Sequence, residues 1–252
     1  MIVGDSLKNN ILLLGGSGKL GSKIIKSKIF HNLKYPTKNK LNILNKKKIE
    51  KYLVINNISL IIHCAALARV KKCELDKNKA KKINVIGTEN IVNSIIKVKK
   101  NYKRDIKLVF ISSDAVYSSV KGNYKETDRL SPYNVYGWTK LKGEKIVKKL
   151  KNFIIIRTRF FDKKKIPFKY SATNIYTSSL EVNKLIKFIS KLINKNFQGI
   201  INVGGPKISD YKKYKKYKKN IKPCDKTVIF NSTNVKLASD ASLNLKKFNR
   251  LI

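Results

Sequence analysis

Residues 10–25 read NILLLGGSGKLGSKII, an apolar run that passes directly into a glycine-rich turn and then into a helical pattern. A short, continuous apolar run is typical of a strand buried on both faces of a parallel sheet. Gly15, Gly18 and Gly21 follow it at intervals of three. In this context the first glycine allows the tight turn, the second lets the backbone approach a pyrophosphate, and the third lets the helix pack close to the strand. The stretch therefore predicts a dinucleotide site, with a plain turn as the alternative.

Apolar runs and helical patterns alternate along the rest of the chain. Predicted strands lie at 33–36, 59–67, 106–113, 152–161 and 199–205, and predicted helices lie at 46–57, 74–99, 181–193 and in a segment that begins near Val135. This alternation predicts an α/β fold, a doubly wound parallel sheet of the NAD(P)-binding Rossmann type. Because the pattern weakens after residue 161, we expect a dinucleotide-binding domain at 1–161. A small C-terminal substrate-binding lobe is expected at 162–252, and it should return a late strand and helix to the sheet.

The chain of 252 residues carries a net charge of +42 at pH 7, which raises the question of a nucleic-acid partner. The excess is mostly lysine spread over every segment, whereas arginine is the preferred reader of bases and phosphates. Lysine, asparagine and isoleucine are abundant together, which is typical of a compositional bias. YKKYKKYKK at 211–219 puts its tyrosines on one helix face and predicts an amphipathic surface helix rather than a stacking platform. We expect no specific nucleic-acid partner.

The cysteines and histidines argue against disulfides and zinc. Cys64, Cys73 and Cys224 form no CxxC pair, and with His31 and His63 they show no zinc-ligand spacing. An odd number of cysteines without a secretory segment indicates a reducing compartment. The N-terminal apolar run is too short for a signal peptide or a membrane span. The sequence therefore predicts a cytoplasmic protein with no metal site and no membrane partner.

A tyrosine and a lysine stand four residues apart in SPYNVYGWTKLKGEK (131–145). On a helix, Tyr136 and Lys140 share one face. Tyrosine has a pKa of about 10, and a lysine charge about 4 Å away stabilises the phenolate by roughly 4 kcal/mol at an effective dielectric near 20. The pair is thus suited to acid–base catalysis. Ser113 ends a predicted strand at the carboxyl edge of the sheet, where its hydroxyl can hydrogen-bond a substrate carbonyl. The alternative is a surface tyrosine and lysine on a helix.

Further motifs accompany this pair. They are GGSGKLG (15–21), HCAALARV (63–70), NVIGT (84–88), ISSDAVY (111–117), GNYKETDRLSPYNVYGWTKLKGE (122–144), INVGGPKISDY (201–211) and DASLNLKK (240–247). With them the chain resembles the extended short-chain dehydrogenases/reductases, and within these the sugar nucleotide-binding family of dTDP-4-dehydrorhamnose reductases. The most specific part is the Tyr-x-Glu-x-Asp that precedes Pro-x-Asn-x-Tyr-Gly.

The resemblance implies roles for individual residues. Ser113, Tyr136 and Lys140 would form the catalytic triad, with Tyr136 as the acid. Asp114 and Arg159 would bind substrate, although a turn cap and an ordinary surface residue are the respective alternatives. The implied cofactor-binding residues are Gly15, Ser17, Gly18, Lys19, Leu20, Gly21, Lys38, Asn42, Ile43, Ala65, Ala66, Leu67, Asn84, Tyr136 and Lys140.

The end of the second predicted strand decides the expected cofactor. An acid there binds the ribose 2′-hydroxyl of NAD, whereas a cation accommodates the 2′-phosphate of NADP. YPTKNK (35–40) contains no acid but holds Lys38 and Lys40. We therefore expect NADP (NADPH) in preference to NAD.

Two departures from the family pattern bear on the substrate. Ser113 stands where the reductases usually have threonine, and a helical segment of the sugar pocket is missing between RTRFF and YTSS. The leading hypothesis is NAD(P)H-dependent reduction of a 4-keto-6-deoxy nucleotide sugar in deoxysugar and surface-polysaccharide biosynthesis. The family allows a homodimer. The alternatives are a nucleotide-sugar epimerase or dehydratase, and a non-catalytic NAD(P)-binding regulatory subunit.

Overall fold

The computed structural model describes residues 10–233 and 236–252. Its strands, in chain order, are β1 (Ile11–Leu14), β2 (Leu33–Lys34), β3 (Leu60–His63), β4 (Lys107–Ile111), β5 (Phe153–Thr158), β6 (Phe160–Phe161), β7 (Tyr170–Ala172), β8 (Tyr176–Thr177), β9 (Leu180–Glu181), β10 (Gly199–Val203), β11 (Ile208–Ser209), β12 (Lys222–Cys224) and β13 (Asp240–Ala241). Six of them form the main sheet in the order β10-β5-β4-β3-β1-β2. All neighbours in this sheet run parallel, so the carboxyl ends of its strands lie at one edge.

Helices lie between the strands of the main sheet and after its last strand, β10. They are α1 (Lys19–Ser27), α2 (Lys46–Ile55), α3 (Val70–Leu75), α4 (Lys77–Lys81), α5 (Gly87–Tyr102), α6 (Val135–Val147), α7 (Val182–Asn194), α8 (Asp210–Lys215), α9 (Lys226–Thr233) and α10 (Lys246–Leu251). A π-helical turn, Lys82–Ile86, joins α4 to α5, and a 3-10 turn, Asp114–Val116, follows β4. Within the described ranges, none of these helices is both long and apolar enough to cross a membrane.

The apolar core lies in two layers, one on each face of the main sheet. Along β1, Ile11 and Leu13 belong to one layer, and Leu12 and Leu14 belong to the other. Helices α1, α7 and α10 cover the first layer, whereas α2, α5 and α6 cover the second. This double covering explains the continuous apolar run at the start of the sequence, because both faces of β1 are buried.

The predicted α/β fold with a doubly wound parallel sheet is confirmed, but the long helix predicted at 74–99 is interrupted. The Asp76 carboxylate accepts a hydrogen bond from the Lys79 N–H at 2.8 Å and so caps a new helix. Helical structure then continues through the π turn as far as Tyr102. The apolar period does not reveal this break, since the cap depends on a single polar side chain.

The amphipathic surface helix predicted at 211–219 is wrong in part. Helix α8 ends at Lys215, and Lys213 is buried rather than exposed. The Lys213 ammonium donates hydrogen bonds to the Asp210 carboxylate and, at 3.0 Å, to the Ser179 hydroxyl. Tyr217, which the pattern places inward, is 49% exposed. The buried side of this segment therefore includes a paired lysine beside the half-buried Tyr211 and Tyr214, and not the tyrosines alone.

The segment after residue 161 is more regular than its sequence suggests. No helix or strand was predicted at 162–179, but these residues contain β7 and β8. Strand β7 pairs with β12, and β8 pairs with β11 and β13. Further along, β10 pairs with β5 and α7 covers one face of the main sheet. These are the late strand and helix that were expected to return to the sheet. The division at residue 161 stays a prediction, and its first boundary, residue 1, lies outside the described residues.

Candidate active site

The glycine turn between β1 and α1 has tight backbone geometry. Gly15 has a φ of +93°, which favours glycine, and a Cβ there would lie 2.5 Å from the backbone nitrogen of Ala65. A Cβ on Gly21 would lie 2.2 Å from the carbonyl oxygen of Gly15. The Gly18 N–H donates to the same oxygen at 3.0 Å, and Gly18 is the N-cap of α1. Gly15 and Gly21 therefore place the backbone where only a hydrogen atom fits.

A cavity of about 710 Å³ lies against this turn and the carboxyl ends of β1 and β3. Cofactor sites commonly occupy about 300–1,000 Å³. The predicted cofactor residues that line it are Gly15, Ser17, Gly18, Lys38, Asn42, Ile43, Ala65 and Ala66. The predicted cofactor residues outside its lining are Lys19, Leu20, Gly21, Leu67, Asn84, Tyr136 and Lys140. Of these, Leu20 is a core residue beneath the first turn of α1.

Two lysines that line this cavity were not predicted as cofactor-binding residues. Lys79 of α4 and Lys82 of the π turn line it together with Lys38. In so lysine-rich a chain, no local signal separates these two from the lysines of a solvated face. The lining contains no Asp or Glu among the residues that the structure describes. The cavity is therefore positively charged and suits a ligand that carries phosphates.

Asn84 holds two chain segments together, and its predicted role in cofactor binding stays a prediction. Its Oδ1 accepts from the Leu67 N–H at 2.7 Å, and its Nδ2 donates to the Leu67 carbonyl at 3.1 Å. The same Nδ2 donates to the Thr139 hydroxyl of α6 at 2.9 Å. Asn84 is buried and fixes residues 65–67, which follow β3, against α6, the helix that carries Tyr136. Its contacts thus position the walls of the cavity.

Helix α6 brings Tyr136 and Lys140 onto one face, one turn apart. The helix begins at Val135, and the Asn134 side chain caps it by accepting from the Gly137 N–H at 2.8 Å. Lys140 is buried, with its ammonium nitrogen 3.9 Å from the centre of the Phe110 ring. Burial lowers the pKa of Lys140 to about 8. Lys140 therefore belongs to the protein interior, whereas Tyr136 is half-buried.

Burial raises the pKa of Tyr136, and the Asp114 carboxylate raises it further. The nearby Ser113 hydroxyl lowers this pKa, because a hydrogen bond from it favours the phenolate. The prediction that Lys140 brings the pKa down towards neutrality is wrong, because burial and Asp114 outweigh the opposing groups and the ammonium lies over Phe110. Tyr136 is consequently a neutral phenol at physiological pH and has a proton to give.

Asp114 and Arg159 form an ion pair beside Ser113. The Arg159 Nε donates to Oδ2 of Asp114 at 2.6 Å, and the Ser113 hydroxyl donates to Oδ1 at 3.1 Å. Asp114 is buried, whereas the Arg159 side chain is 32% exposed. Asp114 is therefore more than a turn cap, and Arg159 is more than an isolated surface residue.

Ligands of doubly wound sheets bind at the carboxyl ends of the strands, which is where the cavity, Ser113 and Tyr136 lie. A dinucleotide-type turn combined with this serine, tyrosine and lysine defines the class of short-chain dehydrogenases/reductases. More particularly, the chain belongs to the RmlD substrate binding domain family, whose sequence profile matches residues 9–173. The resemblance inferred from the motifs is confirmed.

Comparisons with individual proteins agree with this family. The chain is 27% identical over 207 residues to a dTDP-4-dehydrorhamnose reductase of Aggregatibacter actinomycetemcomitans, covering 79% of this chain and 63% of the relative. It is 28% identical over 146 residues to methionine adenosyltransferase 2 subunit beta of Bos taurus, covering 54% of this chain and 42% of the relative. The chain thus spans less than two-thirds of the length of the curated relatives that it matches. The crystal structure of a dTDP-4-dehydrorhamnose reductase from Bacillus anthracis in complex with NADP shares the fold, with a TM-score of 0.84 at 24% identity over 96% of this chain and 93% of that one.

Proposed function

We propose that the protein reduces a 4-keto-6-deoxy nucleotide sugar of the dTDP-4-dehydrorhamnose type, with NADPH as the hydride donor. The observation that carries the proposal is the arrangement of Tyr136 and Lys140 one turn apart on α6, with the Ser113 hydroxyl and the ion pair of Asp114 and Arg159 beside the phenol at the carboxyl edge of the sheet. Relatives named dTDP-4-dehydrorhamnose reductase support the substrate class. The reaction would serve deoxysugar and surface-polysaccharide biosynthesis.

The residues of the cavity fit a dinucleotide. Gly15 and Gly21 have no side chain, so a pyrophosphate could approach the backbone there. The N-terminus of α1 adds a partial positive charge at the same place. Lys38, Lys79 and Lys82 add positive charge along the wall. When bound, the nicotinamide supplies a hydride to the carbonyl carbon. The chain supplies the proton and the placement of the ketone.

Tyr136 is the proton donor in this proposal. Because its raised pKa keeps the phenol protonated at neutral pH, a proton is available to the ketone oxygen as negative charge develops there. When substrate binds, the Ser113 hydroxyl turns away from Asp114 and donates its hydrogen bond to the same oxygen. The Arg159 guanidinium, whose charge lowers the pKa of Tyr136, stabilises the phenolate that remains. Lys140, a predicted cofactor-binding residue, would hold the ribose hydroxyls of the nicotinamide. The product is a secondary alcohol on the sugar.

We assign Asp114 and Arg159 to the substrate end of the site. Asp114 directly follows Ser113, and its carboxylate orients the Arg159 guanidinium through Nε. The exposed part of the guanidinium retains N–H donors whose planar geometry matches diphosphate oxygens. The sugar would therefore lie near Ser113 and the diphosphate near Arg159.

Incubation of the purified protein with NADPH and a panel of nucleotide keto-sugars tests this function. The expected result is stoichiometric oxidation of NADPH and formation of the 4-hydroxy sugar, followed by absorbance and mass spectrometry. The proposal fails if a preparation that binds NADPH consumes none with any member of the panel.

A non-catalytic regulatory role is the second candidate, favoured by the similarity to methionine adenosyltransferase 2 subunit beta. A regulatory binder would hold NADPH without consuming it. An epimerase or dehydratase would convert the nucleotide sugar while its cofactor stayed bound and unchanged in amount. The same incubation therefore separates all three functions.

Lys38→Glu should reverse the cofactor preference. Lys38 lines the cavity, whereas Lys40 lies outside its lining. One charge-assisted contact to the 2′-phosphate is worth about 1.5–3 kcal/mol, or roughly 10–150-fold in affinity. We expect the wild type to prefer NADPH modestly and the variant to prefer NADH, as measured by fluorescence titration of both cofactors. Lys40→Glu is the matched control and should keep the wild-type order. Equal affinity for the two cofactors in the wild type and in Lys38→Glu would contradict the role of Lys38.

A further inference from the structure

Glu144 lies one helical turn beyond Lys140 on α6. Tyr136, Lys140 and Glu144 follow at intervals of four residues and therefore share one face of the helix. Lys140 is 3% exposed and Glu144 is fully buried. A carboxylate in this position is costly unless other groups satisfy it.

Arg157 of β5 fixes the Glu144 carboxylate from the neighbouring strand. Its Nη2 donates to Oε2 at 2.8 Å and its Nε donates to Oε1 at 3.0 Å, a two-point contact between planar groups. The Ser112 hydroxyl also donates to Oε1. Arg157 itself is 1% exposed. Glu144 is thus held in place by the sheet as well as by its own helix.

Phe110 of β4 supplies the second support for Lys140. The ammonium nitrogen lies 3.9 Å from the ring centre, within the range of a cation–π contact. A Cβ on Gly143 would lie 2.7 Å from Cζ of Phe110, so a glycine at this position lets α6 close on the ring. The positions of the Phe110 ring and the Glu144 carboxylate near Lys140 therefore depend on the close packing of α6 on the sheet.

Other titratable groups near Lys140 carry no charge at neutral pH. His63 of β3 has its pKa lowered to about 3 by burial and by the charge of Lys140. Burial raises the pKa of Cys64, the next residue, to about 12. Among these neighbours Glu144 therefore supplies the negative charge that opposes the effect of burial on Lys140.

We propose that Glu144, held by Arg157, is a positioning residue for Lys140: its negative charge, one helical turn away on the same buried face, keeps the ammonium charged. This inference rests on the proposed function, because it gives the buried charge of Lys140 a role beside Tyr136. Glu144 acts through Lys140 and touches neither substrate nor cofactor in this scheme.

Titration of Lys140 tests the inference without turnover. Protein labelled with carbon-13 at the lysine Cε should show one resonance with a midpoint near pH 8 that is missing from Lys140→Met. In Glu144→Gln the midpoint should fall by about 1–2 pH units, because a carboxylate one helical turn away no longer favours the charged form. Glu50→Gln is the matched control: it removes a carboxylate that pairs with Lys97 on the surface, and it should leave the midpoint unchanged.

Two further variants cover the case in which Glu144→Gln fails to fold with Arg157 unpaired. Glu144→Gln combined with Arg157→Met removes both buried charges, and Phe110→Leu removes only the ring face; each should lower the midpoint. An unchanged midpoint in any folded protein of this set would overturn the inference, as would a wild-type Lys140 that titrates with the surface lysines. The titration needs no substrate, so an inactive protein with the expected midpoints would defeat the proposed function alone.

Discussion

Tyr136→Phe should lower the turnover rate by about 10²–10⁴-fold while NADPH still binds. The substitution keeps the ring and removes only the hydroxyl that gives up the proton. Because burial and Asp114 keep that phenol neutral, the proton is present throughout the physiological pH range in the wild type. Its loss leaves the developing alkoxide with hydrogen bonding from Ser113 alone.

Steady-state rates and a fluorescence titration of NADPH check this result in the same preparation. Tyr102→Phe, at an exposed tyrosine at the end of α5, is the control and should behave as wild type. Turnover at the wild-type rate in Tyr136→Phe would remove Tyr136 from the reaction. Loss of NADPH binding together with turnover would indicate a damaged fold instead.

The main sheet was predictable because its strands are buried on both faces and their sequences are therefore continuous apolar runs. Runs such as 106–113 and 199–205 correspond to β4 and β10. The short strands of the C-terminal lobe carry no such signal. Strand β7 has three residues and exists through its pairing with β12, far along the chain, so no local pattern announces it.

The candidate site divides in the same way. The glycine turn and the spacing of Tyr136 and Lys140 are local features, and the sequence predicts them correctly. The pKa of Tyr136 depends on burial and on Asp114, and the support of Lys140 depends on Phe110 and on a pair between α6 and β5. These properties arise only when distant elements pack together, which explains why an argument from two isolated charges gives the wrong direction for Tyr136.

Gly15→Ala should abolish tight cofactor binding and lower the free energy of unfolding by about 2–6 kcal/mol. Roughly 1–3 kcal/mol comes from a side chain forced into a left-handed backbone conformation, since φ is +93°. A further loss of about 1–3 kcal/mol comes from overpacking. The new Cβ would lie 2.5 Å from the Ala65 nitrogen and 2.8 Å from the Cys64 carbonyl carbon, which are backbone atoms and cannot rotate away. Relief requires β1 and the segment after β3 to separate, and that movement opens the turn that would hold the pyrophosphate.

Gly16→Ala provides the matched control one residue further along the same turn. Its Cβ would meet Cδ1 of Ile25 at 3.1 Å, the far end of a flexible side chain, and its backbone lies outside the left-handed region. Urea unfolding should therefore show a much smaller loss for Gly16→Ala than for Gly15→Ala, and NADPH titration should follow the same order. If the two variants lost stability and affinity equally, the close approach of Gly15 to the end of β3 would not be what shapes the cofactor cavity. If only Gly15→Ala lost stability and NADPH affinity, the close approach of Gly15 to the end of β3 would be what shapes the cofactor cavity at the carboxyl edge of the sheet.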